Sequence, residues 1–279
     1  MPDRFRVRPG DPSNLPVRNP SSTDGAPGGK LETEAVFADQ HAKLAELQER
    51  LWAEARRSLL VVLQGIDASG KDGTIRHVFG GFNPLGTRAV SFKQPTDEEL
   101  AHDFLWRVHR QAPKAGEVVI FNRSHYEDVL AARVHRLAPE HVWRARYEQI
   151  NDYERLLSHR GTKIVKFLLT ISRHEQAERL RARIDEPGKR WKLRAADFEE
   201  RKFWDEYQAA FSDMLERTST DQTPWYVIPA DHKWYRNWAV AHVLIHVMSD
   251  MDPRYPTATP LPDLATLEAH LDGGDGSPS

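Results

Sequence analysis

A glycine-rich turn is the first feature of the sequence that indicates chemistry. The segment LLVVLQGIDASGKDGTIRHVF, residues 59–79, passes from an apolar strand through glycines into a helix and places a G-x-x-x-x-G-K motif at Gly65, Gly70 and Lys71. Backbone N–H groups of such a turn, followed by a helix start, form an anion site, and the lysine reaches the terminal phosphates. The alternative is an ordinary turn with a solvated lysine, but the strand-loop-helix context favours phosphate. The residues that we expect to bind phosphate here are Gly70, Lys71, Gly73 and Thr74.

The metal ligand that usually accompanies this motif is missing, because Asp72 stands where a serine or threonine is expected. A carboxylate there would add charge beside phosphate, so an ion must be held differently. Asp67 inside the loop and Asn122 at the end of the strand EVVIF are candidates to converge on one Mg²⁺ or its waters. Glu127 and Asp128 stand just behind, either as support for that ion or as the solvated first turn of a helix.

Arg123 follows the strand end directly, where a guanidinium would point into the cleft at the carboxyl edge of a parallel sheet. An arginine in that place suits a transferring phosphoryl group. The alternative is an ordinary surface ion pair. Arg133, in the following helix, is weaker evidence taken alone.

A basic segment lies between residues 160 and 194, where eleven lysines and arginines face four acids, a balance of plus 7. Arg179 and Arg183 are four residues apart on one helical face, and the turn PGKRWK adds Lys189, Arg190 and Lys192. Helices flank this turn on both sides, so residues of about 179–200 could move together as a lid. Like charges this close together repel one another unless an anion binds between them. The alternative is a set of solvated helix faces neutralised by nearby glutamates.

Composition narrows the class of protein. The chain has 279 residues, 39% hydrophobic and 29% charged, with a net charge of −2 and no cysteine. No apolar run is long enough for a membrane helix and the first residues lack the apolar core of a signal peptide, so we expect a cytoplasmic protein without membrane association. Disulfides and cysteine nucleophiles are excluded, and the near-neutral charge gives no reason to expect a nucleic-acid partner.

Strand-like and helix-like segments alternate along the chain, which predicts an α/β sandwich around a parallel five-stranded sheet. The composition of residues 1–30 predicts an extended or disordered arm, and residues 257–279 are predicted to be a flexible tail. Residues 31–256 between them are predicted to form one domain. A capping box at Thr96 and Glu99 predicts a helix toward Gln111. The predicted strands are 59–64, RAVSF, EVVIF, KIVKFLLTIS and WYVI, and the predicted helices include 31–57, 139–161, 172–183, 196–217 and 234–248.

Five segments together resemble the polyphosphate kinase 2 family, the polyphosphate:nucleotide phosphotransferases, over residues 35–256. They are GIDASGKDGT, SFKQPTDEELAHDFLWRVH, VIFNRSHYEDVL, RIDEPGKRWK and WYVIPADHKWYRNW. The resemblance implies a single P-loop kinase domain with a mobile helical lid, which moves phosphoryl groups between inorganic polyphosphate and AMP, ADP or ATP with Mg²⁺, or Mn²⁺ in its place. The form NRSHYEDV resembles the subgroup that phosphorylates AMP as well as ADP.

The resemblance also implies roles for individual residues. Lys71 would hold the phosphates in flight, Arg123 would stabilise the transferring group, and Asp67 would act with Asn122 on the metal, although many members have aspartate at the position of Asn122. The further residues implied for phosphate are Lys93, Arg179, Arg183, Lys189 and Lys192. Those implied for the nucleotide are Glu127, Asp128 and Arg133. Members of the family assemble as dimers or tetramers, so a homo-oligomer is expected.

Two other functions stay open at this stage. An ATP-dependent nucleoside or nucleotide monophosphate kinase would use the same fold with another donor, although a long basic segment favours polyphosphate. A non-catalytic P-loop protein that binds nucleic acid through residues 160–194 is the third possibility, and its binding would survive loss of Lys71.

Overall fold

The fold is built on one mixed sheet. The computed structural model describes residues 2–10, 18–257, 265, 267, 268 and 271. Within these, six strands lie in the order β1-β6-β5-β2-β4-β3. The strands are Arg6–Val7 (β1), Ser58–Gln64 (β2), Thr87–Ser91 (β3), Val118–Asn122 (β4), Thr162–Thr170 (β5) and Trp225–Pro229 (β6). β2 to β6 are the five predicted parallel strands, which confirms the α/β class; β1 is antiparallel to β6, so the strand number is corrected to six.

The additional strand, β1, lies within residues 1–30, the segment that was predicted to be an extended or disordered arm. Phe5 and Val7 are almost fully buried, Phe5 accepts a hydrogen bond from Val227 N at 2.8 Å, and Val7 accepts one from Ser219 Oγ at 2.6 Å. The arm thereby covers an otherwise open edge of the sheet. The domain limits stay a prediction, and most of the predicted tail, 257–279, lies outside the described residues.

Helices cover both faces of the sheet. They are Lys30–Glu54 (α1), Lys71–Val78 (α2), Asp97–Leu100 (α3), Trp106–His109 (α4), Ala131–Val134 (α5), Glu140–His159 (α6), Arg173–Asp185 (α7), Ala195–Glu200 (α8), Trp204–Thr218 (α9) and Lys233–Met251 (α10). α1 and α2 pack against α10 on one face, and α6 packs against α9 on the other. No helix among the described residues is long and apolar enough to cross a bilayer.

Two predicted helices are interrupted. The capping box forms, with Glu99 N donating to Thr96 Oγ1 at 3.2 Å, but its helix ends at Leu100. Asp103 Oδ1 then accepts from Leu105 N at 3.0 Å, in a turn that separates this helix from α4. The predicted helix 196–217 is split into α8 and α9 by a 3₁₀ turn, Arg201–Phe203. Contacts from this turn to other elements, such as Arg201 Nη1 to Gln176 Oε1 at 2.8 Å, outweigh the helical periodicity.

The central strand positions the site. Every residue of β2 is buried, and β2 lies between β4 and β5, with Leu63 opposite Asn122 and Gln64 opposite Leu168. Parallel strands place their carboxyl ends at one edge, so the glycine loop after β2 and Arg123 after β4 become neighbours.

Candidate active site

The glycine loop spans residues 65–70 between β2 and α2, and two of its positions require glycine. Gly65 and Gly70 have φ values of 146° and 105°, in the region that L side chains rarely adopt. A Cβ on Gly65 would lie 2.6 Å from the backbone oxygen of Leu169, and one on Gly70 would overlap Arg236 Nη1. Close packing behind the loop therefore fixes its curvature.

Lys71 begins α2 and folds back over the loop. Its Nζ donates to Gly65 O at 2.6 Å and to Ile66 O at 3.3 Å, and only 8% of the residue is exposed. Burial and the nearby charge of Arg123 lower the pKa of Lys71 to about 8. An ammonium group that is so poorly solvated is well suited to a phosphate anion.

Arg123 and Asp67 form an ion pair at the edge of the sheet. Burial raises the pKa of Asp67, but Arg123 and Lys71 lower it more, so the net shift is downward and the group is a carboxylate. Arg123 has a φ of 62°, an uncommon conformation for a residue with a side chain, and its N–H donates to Leu63 O at 3.1 Å. The Arg123 side chain is 40% exposed and lines the cleft, so it can still contact a substrate there.

Asn122 and Thr74 have partners that sequence reasoning did not anticipate. Asn122 Nδ2 donates to Asp72 Oδ1 at 2.7 Å, so Asp72 is tied to the end of β4. Thr74 is fully buried and its hydroxyl donates to Gly70 O at 3.1 Å within α2, which points it away from the concave side of the loop. Phosphate binding by Thr74 stays a prediction, and this geometry does not favour it.

The described residues contain no group of three or more histidine or acidic side chains arranged to hold a metal ion. A magnesium site does not need such a cage, because Mg²⁺ is commonly bound by one or two carboxylates, waters and substrate phosphates. The ionised Asp67 fits that requirement. Since the amide nitrogen of Asn122 is used by Asp72, its carbonyl oxygen is the atom of that side chain left to ligate.

A cleft of about 600 Å³ opens beside the loop, lined by Asp67, Lys93, Arg123 and Glu127 among others. Asp128 also lines this cleft. Burial raises the pKa of Asp128 to about 6, against the opposing effect of Arg146, whose Nη1 is 3.2 Å from its Oδ1. The cleft is large enough for a nucleotide. Five site residues predicted from the sequence contribute polar side chains to its lining: Asp67, Lys93, Arg123, Glu127 and Asp128. Arg133 does not contribute to this lining: its Nη1 binds Asp213 at 2.6 Å and the residue faces a neighbouring depression.

The predicted lid contains two kinds of cation. Arg179 uses all its donor groups inside the protein: Nε on Glu175, Nη1 on the carbonyls of Ala68 and Ser69, both at 2.9 Å, and Nη2 on carbonyls after β6. Arg183 joins α7 to α8 through Asp197 Oδ2 at 2.6 Å. Lys189 is exposed and pairs with Glu186, whereas Lys192 is half-buried, with its Nζ 5.0 Å from the ring centre of Trp191. The geometry gives Arg179 a bracing role and ties Arg183 to Asp197, whereas Lys189 is held only by an exposed local pair that an anion can replace.

The family was tested by comparison with known proteins. A family model described as "Polyphosphate kinase 2 (PPK2)" matches residues 29–256. The chain belongs to the polyphosphate kinase 2 family. A Meiothermus ruber protein named "AMP/ADP-polyphosphate phosphotransferase" is 50% identical over 91% of this chain and 95% of that protein. A Rhodopseudomonas palustris protein named "ADP-polyphosphate phosphotransferase" is 42% identical over 92% and 93%.

The fold agrees with this membership. The crystal structure titled "Polyphosphate Kinase 2 from Arthrobacter aurescens TC1" matches with a TM-score of 0.93 and 43% identity, covering 98% of this chain and 97% of that chain. This protein is accordingly a polyphosphate-dependent nucleotide kinase. The family predicted from the five segments is confirmed, and the ATP-dependent alternative is not favoured.

Sequence reasoning missed one residue of this kinase site, Arg236. It is 2% exposed and packs against Gly70 and Gly73, and its Nη2 donates to the amide oxygen of Asn237 at 2.8 Å. Burial and Arg179 lower its pKa to about 10. None of the site residues predicted from the sequence lies in its segment, WYVIPADHKWYRNW, in which Trp225 and Tyr235 are also buried. The sequence signal that could have identified Arg236 is its position as an arginine on the otherwise apolar face of α10.

The plus 7 balance of residues 160–194 overstates the charge available to a substrate. Lys166 is completely buried on β5 and paired with Glu154 at 2.6 Å. Arg160 and Lys163 lie at the amino end of β5, and the glycine loop lies beyond the carboxyl ends of the strands. The usable basic surface is therefore the lid.

Proposed function

We propose that the protein transfers phosphoryl groups from inorganic polyphosphate to both AMP and ADP, forming ADP and ATP, in a reaction that is reversible in principle. The observation that carries the proposal is the meeting of Lys71, Asp67 and Arg123 at one edge of the sheet, beside a cleft of about 600 Å³. Phosphoryl transfer depends mainly on alignment and charge stabilisation, which these groups provide without a covalent intermediate.

Each residue has a distinct task in this proposal. Lys71 and the loop N–H groups hold the phosphates in flight, and Lys71 leaves the carbonyls of Gly65 and Ile66 for phosphate oxygens. Arg123 donates to the transferring group, whose charge is spread over its outer oxygens. Glu127 and Asp128 help to place the nucleotide in the cleft, and Arg183, Lys189 and Lys192 close over the anionic donor.

Magnesium is the proposed metal, with manganese as a substitute. When bound, it would offset phosphate charge at the transferring group. Asp67 and the carbonyl oxygen of Asn122 are the protein ligands that we propose. A chelator should stop transfer, and restored activity with Mg²⁺ but not Ca²⁺ would support the site.

The deciding experiment is to mix the protein with AMP or ADP, Mg²⁺ and polyphosphate, without ATP, and to separate the nucleotides by chromatography. ADP followed by ATP from AMP, absent in Lys71→Ala, supports the proposal. ATP from ADP with no product from AMP would limit the acceptor to ADP. No product from either nucleotide, with transfer when ATP is the donor, would overturn the polyphosphate donor.

Assembly and location extend the proposal. We expect a homo-oligomer, dimer or tetramer, formed through exposed helices, and a monomer by light scattering at micromolar concentration would contradict it. A cytoplasmic location without a nucleic-acid or membrane partner also stays a prediction, which fractionation of cells can test.

A further inference from the structure

The turn after β4 carries Arg123 and Glu127 into the cleft and two other side chains into the core. His125 and Tyr126 are completely buried beneath it. Ser124 braces the turn: its Oγ accepts from Tyr126 N at 3.2 Å and donates to the side-chain amide oxygen of Gln64 at 3.2 Å. The position of Arg123, in its unusual backbone conformation, therefore depends on how His125 and Tyr126 are anchored.

The anchor is a buried polar network around Lys166 and Glu154. Lys166 Nζ donates to Glu154 Oε2 at 2.6 Å and to Tyr126 OH at 3.0 Å, and Tyr126 OH donates to Glu154 Oε1 at 2.7 Å. His125 Nε2 lies 3.4 Å from Glu154 Oε1. Lys166 also donates to Thr218 O at 2.7 Å, at the end of α9. One cluster thus joins the turn to α6, β5 and the helix that follows the lid.

Burial acts on every ionisable group of this network, and it lowers the pKa of Lys166 against the opposing effect of Glu154. Burial raises the pKa of Glu154, but Lys166 and His125 lower it to about 2, so Glu154 is a carboxylate. Burial lowers the pKa of His125 more than Glu154 raises it, and His125 is neutral. The cluster is therefore one ion pair, with no net charge and almost no solvent contact.

Stability alone does not explain a buried ion pair, because well-packed apolar residues of similar volume are often as stable. Directional hydrogen bonds, by contrast, hold a segment in one place. We propose that Lys166 and Glu154 are positioning residues, which fix the Arg123 turn through Tyr126 and His125 in the geometry that phosphoryl transfer needs. This inference rests on the proposed function for its kinetic consequence, while its structural consequence stands by itself.

The test compares two variants that each remove one buried hydroxyl. Tyr126→Phe removes the hydroxyl that bridges Lys166 and Glu154. Thr162→Val is the control, because Thr162 Oγ1 bonds Ser58 Oγ at 2.9 Å, buried at the opposite end of β2 and β5. We expect Tyr126→Phe to lower kcat about tenfold with KM for ADP and polyphosphate nearly unchanged, since small misplacement of a reacting group is costly. Thr162→Val should leave kcat within about twofold.

Two further measurements separate positioning from general destabilisation. In an Arg123→Lys background, Tyr126→Phe should cause little additional loss, because the group that it positions is already altered. Hydrogen exchange of amides 123–128 should accelerate in Tyr126→Phe and not in Thr162→Val. This readout needs no activity, so it decides the inference even if the unmutated protein proves inactive with polyphosphate, which would overturn the proposed function instead.

Three results would overturn the inference. The first is an equal loss of kcat in Tyr126→Phe and Thr162→Val. The second is that Tyr126→Phe lowers kcat by the same factor whether residue 123 is arginine or lysine. The third is unchanged hydrogen exchange of amides 123–128 in Tyr126→Phe. If Tyr126→Phe fails to fold, Lys166→Met combined with Glu154→Leu replaces it, because removal of both charges leaves neither one unpaired. The same kinetic and exchange results are expected from that double variant.

Discussion

Two regions of the site present cations: the floor, which is formed by the glycine loop and the turn after β4, and the lid, residues of about 179–200. The cations of the two regions are held by different kinds of contact. On the floor, Arg123 pairs with Asp67 and Asn122 with Asp72, contacts that join residues 56 and 50 positions apart. In the lid, the exposed lysine Lys189 pairs with Glu186, three residues away. Floor groups are fixed by several elements at once, whereas an exposed local pair costs little to break.

This difference matches two tasks in phosphoryl transfer. The group in flight must be aligned within a fraction of an ångström, which requires rigid supports. The donor chain must enter and leave, which requires cations that exchange partners easily. Changes on the floor should therefore affect kcat strongly, and changes in the lid should affect binding moderately.

The largest effect is expected from Lys71→Ala, which should reduce kcat with ADP and polyphosphate about 10³-fold or more, because no other group replaces its charge at the loop. The melting temperature should hardly fall, since a poorly solvated cation is removed. Arg76→Ala, an exposed change on the same helix, is the control. A variant with about a tenth of normal kcat would contradict the role of Lys71.

Arg123→Lys should lower kcat about 10²-fold, because an ammonium group cannot reproduce the planar fork of arginine. The matched change in the lid is Arg181→Lys, whose side chain is 70% exposed and should tolerate it. Similar losses in both would erase the contrast between floor and lid.

The pH profile gives the next effect. Lys71, with a pKa of about 8, loses its charge as the pH rises, so kcat/KM should fall about tenfold for each unit well above pH 8. Lys71→Arg keeps its charge and should remove this fall, whatever its absolute rate. A fall at the same pH in both enzymes would assign it to another group.

Arg183→Ala should lower kcat/KM about fivefold, because the link from α7 to α8 through Asp197 is lost and closure of the lid weakens. The loss should appear mainly in KM for polyphosphate. A loss confined to kcat would show that Arg183 acts on the transferring group, as the floor residues do, and not on the binding of polyphosphate.

The smallest effect is expected from Lys189→Ala combined with Lys192→Ala. KM for polyphosphate should rise about threefold at low salt and the difference should shrink in high salt, because exposed charges are screened. A loss that is independent of salt would indicate a buried, specific contact. Steady-state kinetics at two ionic strengths provide the measurement.

Much of the fold was predictable because it depends on local pattern. Apolar runs such as 59–64 gave the five parallel strands, and the loop motif located Lys71 and its neighbours. The strand at Arg6–Val7 was missed because two residues carry no periodicity, and its pairing depends on β6 far along the chain. The interruption near Phe203 was missed for a similar reason, since contacts outside the helix produce it.

The site was only partly predictable from the sequence. Strand ends indicated Asp67 and Arg123 as neighbours, because parallel topology places them at one edge. The bracing role of Arg179 could not be inferred, since a basic residue on a helix face has the same pattern whether it binds phosphate or carbonyls of the loop. Arg236 stands out as an arginine on an apolar helix face, but the sequence does not show that this face lies against Gly70 and Gly73.

By itself, then, the sequence determined the class of fold, the family and the residues able to bind phosphate, because short motifs and apolar periods are local properties. Only the tertiary structure decided which cations are already engaged and which face the cleft. Arg123 and Arg179 are the same residue type, yet one is 40% exposed opposite Asp67 and the other is bound on every side by the protein. That distinction depends on which distant atoms the fold brings within hydrogen-bond distance.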